Sequence, residues 1–420
     1  MKVSLLPLNE LYAREKITAS VEAAIHEKED FSKISKDYCE KVCKLKCKAY
    51  EQIRLAQNEL DIMIIQDHAT PNGKWDRFDG QQEKIQQDVI FHLCKQAGFG
   101  DLKYRVVNLL KCSPSDVDFP NGKAPTATTL LKCKPYLLDE IRRCKPKVII
   151  SLSTVVTKAL GLIKHSNTGD RGKIVQSDYG QVVISLHPRI LSMVRQTAKG
   201  SSGFWSADYY HVIKRDFEKA KLLATNQLIV PTLESALEKT LSENIVICRS
   251  LQEVEKECSE ILALPESSIV SWDIETTGLD GWSKDAKVIT TQFGYRVPNT
   301  THYKSVVFPL FHKENTWFDP VEAWKLITPI LTGKTKKIGW NIMFDLVYTY
   351  ACTGIKAQNI AFDGMLCNHL MDSGATGTMS LKAAVCDWLP ETGLQGYEDR
   401  LPPLTKSRSS GEEIDEEETT

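Results

Sequence analysis

Residues 268–280 read Ser-Ile-Val-Ser-Trp-Asp-Ile-Glu-Thr-Thr-Gly-Leu-Asp, and this stretch gives the strongest structural signal in the chain. Its first half is apolar and β-branched, which predicts a buried strand, and the Thr-Thr-Gly after it predicts a turn. Asp273 and Glu275 are two residues apart, so both side chains project from the same face of that strand. Two neighbouring carboxylates repel each other unless a cation lies between them, and Mg²⁺ and Mn²⁺ prefer such oxygen ligands. A solvated strand edge is the alternative that the same spacing allows.

A third acid follows in a second local pattern. Residues 337–340 predict a short strand, and Asn341-Ile-Met-Phe-Asp345 then begins a helix. Asp363, followed by Gly-Met-Leu, comes 18 residues after Asp345. We expect these acids, from distant segments, to converge on Asp273.

The rest of the chain predicts two α/β sheets. Short apolar runs in the first half alternate with helical segments, as in a three-layer α/β/α domain with a mostly parallel sheet. In the second half, consecutive strands with short turns predict antiparallel pairing and a mixed sheet. The predicted strands are Asp61–Ile65, Tyr104–Leu110, Lys147–Leu152, Gln181–Leu186, Ser268–Glu275, Lys287–Tyr295, Lys304–Leu310 and Lys337–Trp340. The predicted helices include Pro135–Arg143, Thr154–Leu160, Ser250–Leu264, Ile342–Cys352 and one that ends near Thr225.

Composition places the chain among ordinary globular proteins. Its 420 residues are 42% hydrophobic and 25% charged, which excludes collagen-like and globally disordered chains. The length fits two large domains or three smaller ones. Because no run of 18 apolar residues and no signal-like N-terminus occur, we expect a cytoplasmic protein with no membrane partner. The twelve cysteines then predict reduced thiols or metal ligands.

Charge is divided unevenly along the chain. Residues 1–230 hold 36 Lys and Arg against 26 Asp and Glu, whereas residues 231–420 hold 17 against 28. A basic half favours contact with a polyanion, and an acidic half favours the binding of cations. Drift in surface composition would produce the same imbalance.

The acidic motifs of the second half come in a recognisable order: Asp273–Leu279, Asn341–Asp345 and Asp363–Leu366. They resemble the first motif, the second motif and the segment after it in the 3′–5′ exonuclease domain of family A DNA polymerases. The resemblance covers about residues 245–400. It implies an RNase H-like fold that hydrolyses phosphodiesters with two Mg²⁺ or Mn²⁺ ions. The substrate would be a single-stranded or frayed 3′ end of DNA.

The resemblance also implies roles for single residues. Asp273 would bridge both ions, Glu275 would ligate one ion and orient the attacking water, and Asp345 would hold the second ion. Substrate binding would fall to four residues of the first two motifs: Thr276, Leu279, Asn341 and Phe344.

The family's third motif, Tyr-x-x-x-Asp on a later helix, has no counterpart. Tyr397-Glu398-Asp399 has the wrong spacing, and the six acids from Glu412 to Glu418 lie in a tail that we expect to be disordered. Losing a carboxylate ligand lowers a hydrolysis rate by orders of magnitude. We therefore expect one of two arrangements. Either a separate polypeptide with the polymerase domain supplies the missing helix, or this domain binds DNA and metal but cuts poorly.

Five cysteines of the basic half suggest a metal centre. They are Cys39, Cys43, Cys47, Cys112 and Cys133. The first three recur every four residues, and the last two lie beside lysines, which lower the pKa of a thiol and favour the thiolate. A Cys₄ site would hold Zn²⁺ or an iron–sulfur cluster. Buried apolar thiols are the alternative, since no Cys-x-x-Cys pair is present.

Four segments of the basic half carry a second resemblance. They are Asn108–Pro114, Cys133–Ile141, Lys145–Leu152 and Leu186–Pro188. Their order resembles that in family 4 uracil-DNA glycosylases, over about residues 35–225, and implies a [4Fe–4S] cluster on four cysteines. The same arrangement occurs at the front of some bacteriophage family A polymerases, ahead of an exonuclease domain.

By this resemblance, Asp67 would orient water, Asn108 would read a flipped base and His187 would stabilise the departing uracil anion. The segment that begins at Gln66 lacks the glycines of the family's first motif, so binding without cleavage is the alternative. Nearby basic residues would contact phosphates and make DNA affinity depend on salt. Among them are Arg142, Arg143, Lys145 and Lys147.

These observations predict five segments and one function. The segments are a helical extension (1–34), a glycosylase-like domain (35–226), a linker of strand and helix (227–264), a truncated exonuclease domain (265–402) and an acidic tail (403–420). We expect a DNA replication protein with exonuclease activity. The alternative is a non-catalytic DNA-binding or assembly subunit of a split polymerase, with vestigial sites.

Overall fold

The structure is a computed structural model that describes residues 59–67, 81–111, 127–162, 167–188, 190–193, 205–312, 317–371 and 379–394. The chain divides into two compact units, and the last segment of the first unit ends at Gln227. The helical extension (1–34), the acidic tail (403–420) and Cys39, Cys43, Cys47 and Cys112 lie outside the described residues.

The first unit is built around a five-stranded sheet. Its strands are β1 (Ile62–Gln66), β2 (Tyr104–Asn108), β3 (Val148–Ser151), β4 (Ile174–Ser177) and β5 (Gly180–Ile184). The strand order is β2-β1-β3-β5-β4, and β1 pairs in parallel with β2 and β3, as β3 does with β5. The helices around it are α1 (Gln81–Gln96), α2 (Ala127–Leu131), α3 (Lys134–Cys144), α4 (Thr154–Ala159), α5 (Asn167–Asp170), α6 (Ile190–Met193) and α7 (Trp205–Ala224).

Local sequence explains these elements. Residues 62–65 are all fully buried, as expected for a central parallel strand covered on both faces. Helix α3 has Pro135 in its first turn, where the missing N–H is no loss. It ends at Lys145, which takes a left-handed conformation (φ 39°) and donates its N–H to Ile141 O.

The second unit is built around a six-stranded mixed sheet. Its strands are β6 (Ile245–Ile247), β7 (Ile269–Thr276), β8 (Val288–Arg296), β9 (Tyr303–Pro309), β10 (Lys336–Gly339) and β11 (Ile360–Asp363). In the order β11-β10-β7-β8-β9-β6, the β7–β8 and β8–β9 pairs are antiparallel and the other three are parallel. The helices are α8 (Leu233–Glu243), α9 (Leu251–Leu262), α10 (Pro320–Thr332), α11 (Ile342–Thr353), α12 (Gly364–Met371) and α13 (Leu381–Trp388).

Strand β7 separates the core of this unit from its open side. Val270, Trp272 and Ile274 are buried in the main apolar cluster of the unit. The alternate side chains, including Asp273 and Glu275, are exposed. The strand therefore presents two carboxylates on one face while its other face anchors it.

The predicted fold class is confirmed, with a mostly parallel sheet followed by a mixed sheet, but several elements were missed. Strands β4, β6 and β11 and helix α8 were not predicted. Within residues 227–264, where we expect a linker of strand and helix, β6 pairs in parallel with β9 and is the edge strand of the second sheet. None of the helices in the described residues combines the length and apolar character needed to cross a membrane.

Candidate nuclease site and glycosylase-like pocket

Asp273 and Glu275 lie on the open face of β7, as predicted. Asp273 is opposite Gln292 of β8, and Gln292 Nε2 donates a hydrogen bond to Asp273 Oδ2. The sequence reasoning missed Gln292. The alternation of β8 could have placed its side chain on the same face as the acids, but only once the register was known.

Asp345 is brought to these two residues by one hydrogen bond. The backbone N–H of Ile274, between Asp273 and Glu275, donates to Asp345 Oδ1 at 2.9 Å. Asp345 is buried, in the first turn of α11. This bond places Asp345 of the second motif beside the strand that carries Asp273 and Glu275 of the first motif.

The pKa values of these acids respond to their surroundings. Burial raises the pKa of Asp345 to about 7, and repulsion from Asp273 adds to the effect. Partial removal of water also raises the pKa of Glu275, again with a contribution from Asp273. For Asp273 the same effect raises the pKa, while the hydrogen bond from Gln292 opposes it. Asp273 therefore disfavours the charged forms of both Glu275 and Asp345, and a nearby cation would relieve that repulsion.

Asp363 fixes the start of α11 from another element. The residue before the helix, Asn341, has a left-handed conformation (φ 57°) and makes no side-chain cap. Asp363 accepts backbone N–H bonds from Asn341 and Ile342, and also from Met365 and Leu366 at the start of α12. One carboxylate therefore caps two helices. The sequence motif included Asp363, but not this role.

The predicted substrate residues surround the ends of β7 and β10. Thr276 ends β7 and donates to Gly278 O at 2.7 Å. Leu279, in the following loop, is 89% exposed. Phe344 is half-buried, with its ring 5.5 Å from that of Tyr348. Asn341 lies directly before α11, and its backbone N–H donates to Asp363.

The donor chemistry of Asp273, Glu275 and Asp345 fits Mg²⁺ or Mn²⁺, because all three offer oxygen ligands. Nevertheless, no group of three or more His, Cys, Asp or Glu side chains in the described part of the chain is arranged tightly enough to hold an ion. Asp273 and Asp345 accept hydrogen bonds from protein N–H groups instead.

The candidate glycosylase-like residues lie at the carboxyl ends of three strands of the first sheet. Gln66 Nε2 donates to Asn108 Oδ1 at 2.6 Å, and His187 Nε2 lies 3.0 Å from Gln66 Oε1. Asp67, the next residue, accepts the N–H of Leu110 through its backbone carbonyl. The structure therefore connects Asn108 and His187, 79 positions apart in the chain, through Gln66. Sequence reasoning named Gln66 only as the start of the segment that lacks the family's glycines, because nothing local marks a bond that spans the sheet.

Cys133 is the one candidate cluster ligand in the described residues. It is almost fully buried in the apolar cluster that contains Leu130 and Leu137. The other four candidates lie outside the described residues, so their predicted ligand role stays a prediction.

Three of the basic residues proposed for phosphate contacts already have acidic partners. Arg142 and Arg143 both pair with Asp139, at 2.7 and 2.9 Å. Lys147 pairs with Asp61 at 2.8 Å, and this contact lowers the pKa of Asp61. Lys145 is exposed and has no acidic partner within the described ranges.

Two protein-family models match separate parts of the chain. Residues 75–207 match the uracil DNA glycosylase superfamily, and residues 245–391 match a family described as 3′–5′ exonuclease. A glycosylase-superfamily domain precedes an exonuclease domain. The second match contains Asp273, Glu275 and Asp345, and the first contains Asn108 and His187. No match was found among curated proteins.

Two solved structures are similar to part of the chain. The exonuclease domain of Nibbler from Aedes aegypti is 10% identical with a TM-score of 0.24, and the match covers 32% of this chain and 59% of that one. The EXD2 exonuclease domain soaked in Mg and GMP is 16% identical with a TM-score of 0.22, and the match covers 41% and 77%. At these TM-scores, neither structure adds to the argument.

Proposed function

We propose that this chain is a metal-dependent 3′–5′ exonuclease that shortens single-stranded or frayed 3′ ends of DNA in replication. The observation that carries the proposal is the 2.9 Å hydrogen bond from Ile274 N to Asp345 Oδ1, which joins segments 71 residues apart. It gathers three carboxylates whose pKa values are raised together. The match of residues 245–391 to the exonuclease family supports the same class of reaction.

In the proposed reaction, water attacks the terminal phosphodiester and the 3′ oxygen of the preceding nucleotide leaves. Bound divalent cations would supply Lewis acidity to this hydrolysis. Asp273, Glu275 and Asp345 would hold them, and Glu275 would accept a hydrogen bond from the attacking water. Leu279, which is exposed, would pack against the terminal base.

The test uses the full chain, Mn²⁺ and a single-stranded oligonucleotide labelled at either end. A 5′ label should give a ladder of shortened products, whereas a 3′ label should appear at once as mononucleotide. Asp273→Asn and Asp345→Asn should each lower the rate by about 100-fold or more, since each removes a charged ligand while keeping the side-chain shape. Asp285→Asn, at an exposed acid of the loop after β7, is the matched control and should cut at the wild-type rate. Cleavage that persists in Asp273→Asn or in EDTA would refute the proposal.

A second candidate function is a non-catalytic DNA-binding or assembly subunit. Two observations favour it: no tight acidic cluster occurs in the described residues, and Asp273 is already bonded to Gln292. If the active site is instead divided between two chains, a separate polypeptide carrying the polymerase domain would complete it. Addition of that polypeptide should raise the cleavage rate if the sites are shared. DNA binding without cleavage in either condition would establish the non-catalytic function.

We also propose a [4Fe–4S] cluster, or Zn²⁺, for the first domain, held by four of the cysteines at positions 39, 43, 47, 112 and 133. Thiolate chemistry fits either metal. Protein purified without oxygen should be brown and should lose its colour on Cys112→Ala. Zinc without iron would identify a zinc site, and the absence of both metals would favour buried thiols.

A further inference from the structure

The loop that joins β7 to β8, residues 277–287, packs closely against α11. A Cβ atom added at Gly281, in the middle of this loop, would lie 3.1 Å from Tyr348 Cα and 3.1 Å from Ala351 Cβ, both of which are fixed to the helix backbone. Gly281 does not have a left-handed conformation, so the contact requires the absence of a side chain rather than backbone freedom. Cys352 Sγ also donates a weak hydrogen bond to Gly281 O at 3.7 Å. The middle of the loop therefore lies directly on the helix.

Two further contacts fix the loop on either side of that glycine. Thr277 Oγ1 lies 3.3 Å from the hydroxyl of Tyr348. The ring of Trp282 meets the ring of Tyr350 edge to face, with 6.2 Å between the centroids. Hydrogen bonds close the base of the loop, because Thr277 N donates to Lys287 O at 3.1 Å and Lys287 N donates to Thr277 Oγ1 at 3.0 Å. The loop is thus held on α11 both at its base and in its middle.

This docking links two parts of the candidate nuclease site. Helix α11 carries Asp345 in its first turn, and the loop carries Leu279 between the contacts at Thr277 and Gly281. Leu279 is 89% exposed, so the docked loop holds an apolar side chain in solvent without covering it. A side chain that is already in place before a ligand arrives binds it at a smaller entropic cost. The contact at Gly281 therefore sets the position of Leu279 relative to Asp345.

We propose that Gly281 is a positioning residue for substrate binding: its close contact with α11 fixes the loop, and the fixed loop places Leu279 where the terminal base of a DNA strand packs. This inference rests on the proposed nuclease function. The contacts that dock the loop involve none of the three carboxylates of the site. Loosening the loop should therefore weaken binding of the strand without changing the requirement for metal.

The substitution Gly281→Ala tests this proposal, because the added Cβ atom forces the loop away from the helix backbone. The readout is steady-state kinetics of the full chain with Mn²⁺ and a single-stranded oligonucleotide. KM should rise about fivefold, whereas kcat and the Mn²⁺ concentration for half-maximal activity should stay within about twofold of wild type. Ala351→Leu pushes on the same contact from the helix side and serves if Gly281→Ala does not fold. Ser283→Ala, at an exposed position of the same loop, is the control and should keep the wild-type KM.

A double-mutant cycle separates the positioning of Leu279 from a general structural effect. Leu279→Ala alone should also raise KM about fivefold, since it removes the packing surface. The double variant Leu279→Ala/Gly281→Ala should have the KM of Leu279→Ala, because the loop then has no side chain left to place. Independent effects would multiply to about 25-fold and would overturn the proposal. An unchanged KM in folded Gly281→Ala and Ala351→Leu, or a loss of kcat at unchanged KM, would overturn it as well.

A binding measurement distinguishes this proposal from the nuclease function. The same proteins are compared by fluorescence anisotropy of a labelled strand, with EDTA present to prevent cleavage, and the dissociation constants should follow the order of the KM values. A wild type that binds the strand but never cleaves it would refute the nuclease function alone. The positioning role would still be supported if Gly281→Ala binds more weakly and the double variant loses nothing further. Equal dissociation constants for wild type and folded Gly281→Ala would refute the positioning role.

Discussion

Gln292 controls the direction in which the Asp273 carboxylate points. Its side chain donates to Asp273 Oδ2 and in turn accepts from Thr290 Oγ1 at 3.1 Å. A carboxylate held in one orientation loses less entropy when it binds a cation or substrate. Gln292 is therefore expected to position Asp273 without contacting the substrate itself.

The variant Gln292→Ala should lower kcat about tenfold and leave KM for the oligonucleotide nearly unchanged, because the acid remains but is no longer held. The Mn²⁺ concentration needed for half-maximal activity should rise. Steady-state kinetics at several metal concentrations measure both quantities. A variant with higher KM and wild-type kcat would instead indicate that Gln292 binds substrate.

Lys337 is a buried amine whose charge depends on pH. It is fully buried in β10, where it donates to Ile330 O and Thr335 O, and burial lowers its pKa to about 8. In the unfolded chain the amine stays protonated up to about pH 10.5. In the folded chain the amine carries an unfavourable charge below about pH 8 and loses its proton above that pH, before the unfolded chain does. Lys337 should thus destabilise the fold at pH 7 and cease to do so near pH 10.5.

We expect the free energy of unfolding of wild type to rise relative to Lys337→Met by up to about 3 kcal/mol between pH 7 and pH 10.5. Denaturant titrations at the two pH values measure the difference. Lys336→Met, at the exposed neighbouring position, is the control and should show no such change. If the difference in free energy of unfolding between wild type and Lys337→Met is the same at both pH values, burial does not destabilise the charged form of Lys337.

At the scale of elements, Asp363 couples the second sheet to the nuclease site. It caps α11, which carries Asp345, and α12 as well, so it holds the first turn of α11 against β7. Asp319 caps α10 through a single bond to Val321 N, and α10 carries no candidate site residue. Asp319 is therefore a suitable control for Asp363, because both cap a helix but only Asp363 caps one that carries a candidate site residue.

The variant Asp363→Ala should lose about 2–3 kcal/mol of stability and most of the nuclease activity, because four backbone N–H groups lose their acceptor and Asp345 shifts. Asp319→Ala should lose about 1 kcal/mol and keep its activity. Chemical denaturation and the end-labelled oligonucleotide assay provide the two readouts. Equal activity in the two variants would show that Asp363 has no positioning role.

Sequence predicted the strands with a clear apolar pattern and missed those in which the pattern is weak. Strands β1 and β7 carry clear apolar patterns, so their positions were correct within one residue. The pattern is weak in β4 and β11, which have four residues each and only partial burial. An edge strand buries one face at most, so its position depends on pairing with the neighbouring strand more than on its own composition.

The two candidate sites also differ in how much of each could be predicted from the sequence. The motif around Asp273 is local, so the sequence located its acids, although it did not reveal the contact between Ile274 N and Asp345. The bond between Gln66 and His187 spans 121 residues, and only the strand order of the first sheet brings them together. Side-chain partners of this kind follow from topology and not from spacing.

At the scale of the whole chain, the basic half should determine how DNA affinity depends on salt. Each phosphate neutralised releases about one counterion, so the slope of log affinity against log salt counts the contacts. Lys145 is exposed without an acidic partner in the described ranges, whereas Arg142 is already paired with Asp139. Lys145 is therefore the better placed of the two for a phosphate.

We expect Lys145→Ala to reduce the magnitude of that slope by about one and Arg142→Ala to change it by much less. Fluorescence anisotropy of a labelled single strand at a series of salt concentrations measures the slope. The opposite order would mean that Arg142 leaves Asp139 to bind DNA.

The position of β6 at the edge of the second sheet determines where the exonuclease region can be cut from the chain. A fragment that begins at Leu251 would lack residues 245–247 and would leave one side of β9 with bare N–H and C=O groups. Such an edge recruits strands from other molecules, so that fragment should precipitate on expression, whereas one that begins at Leu233 should remain monodisperse.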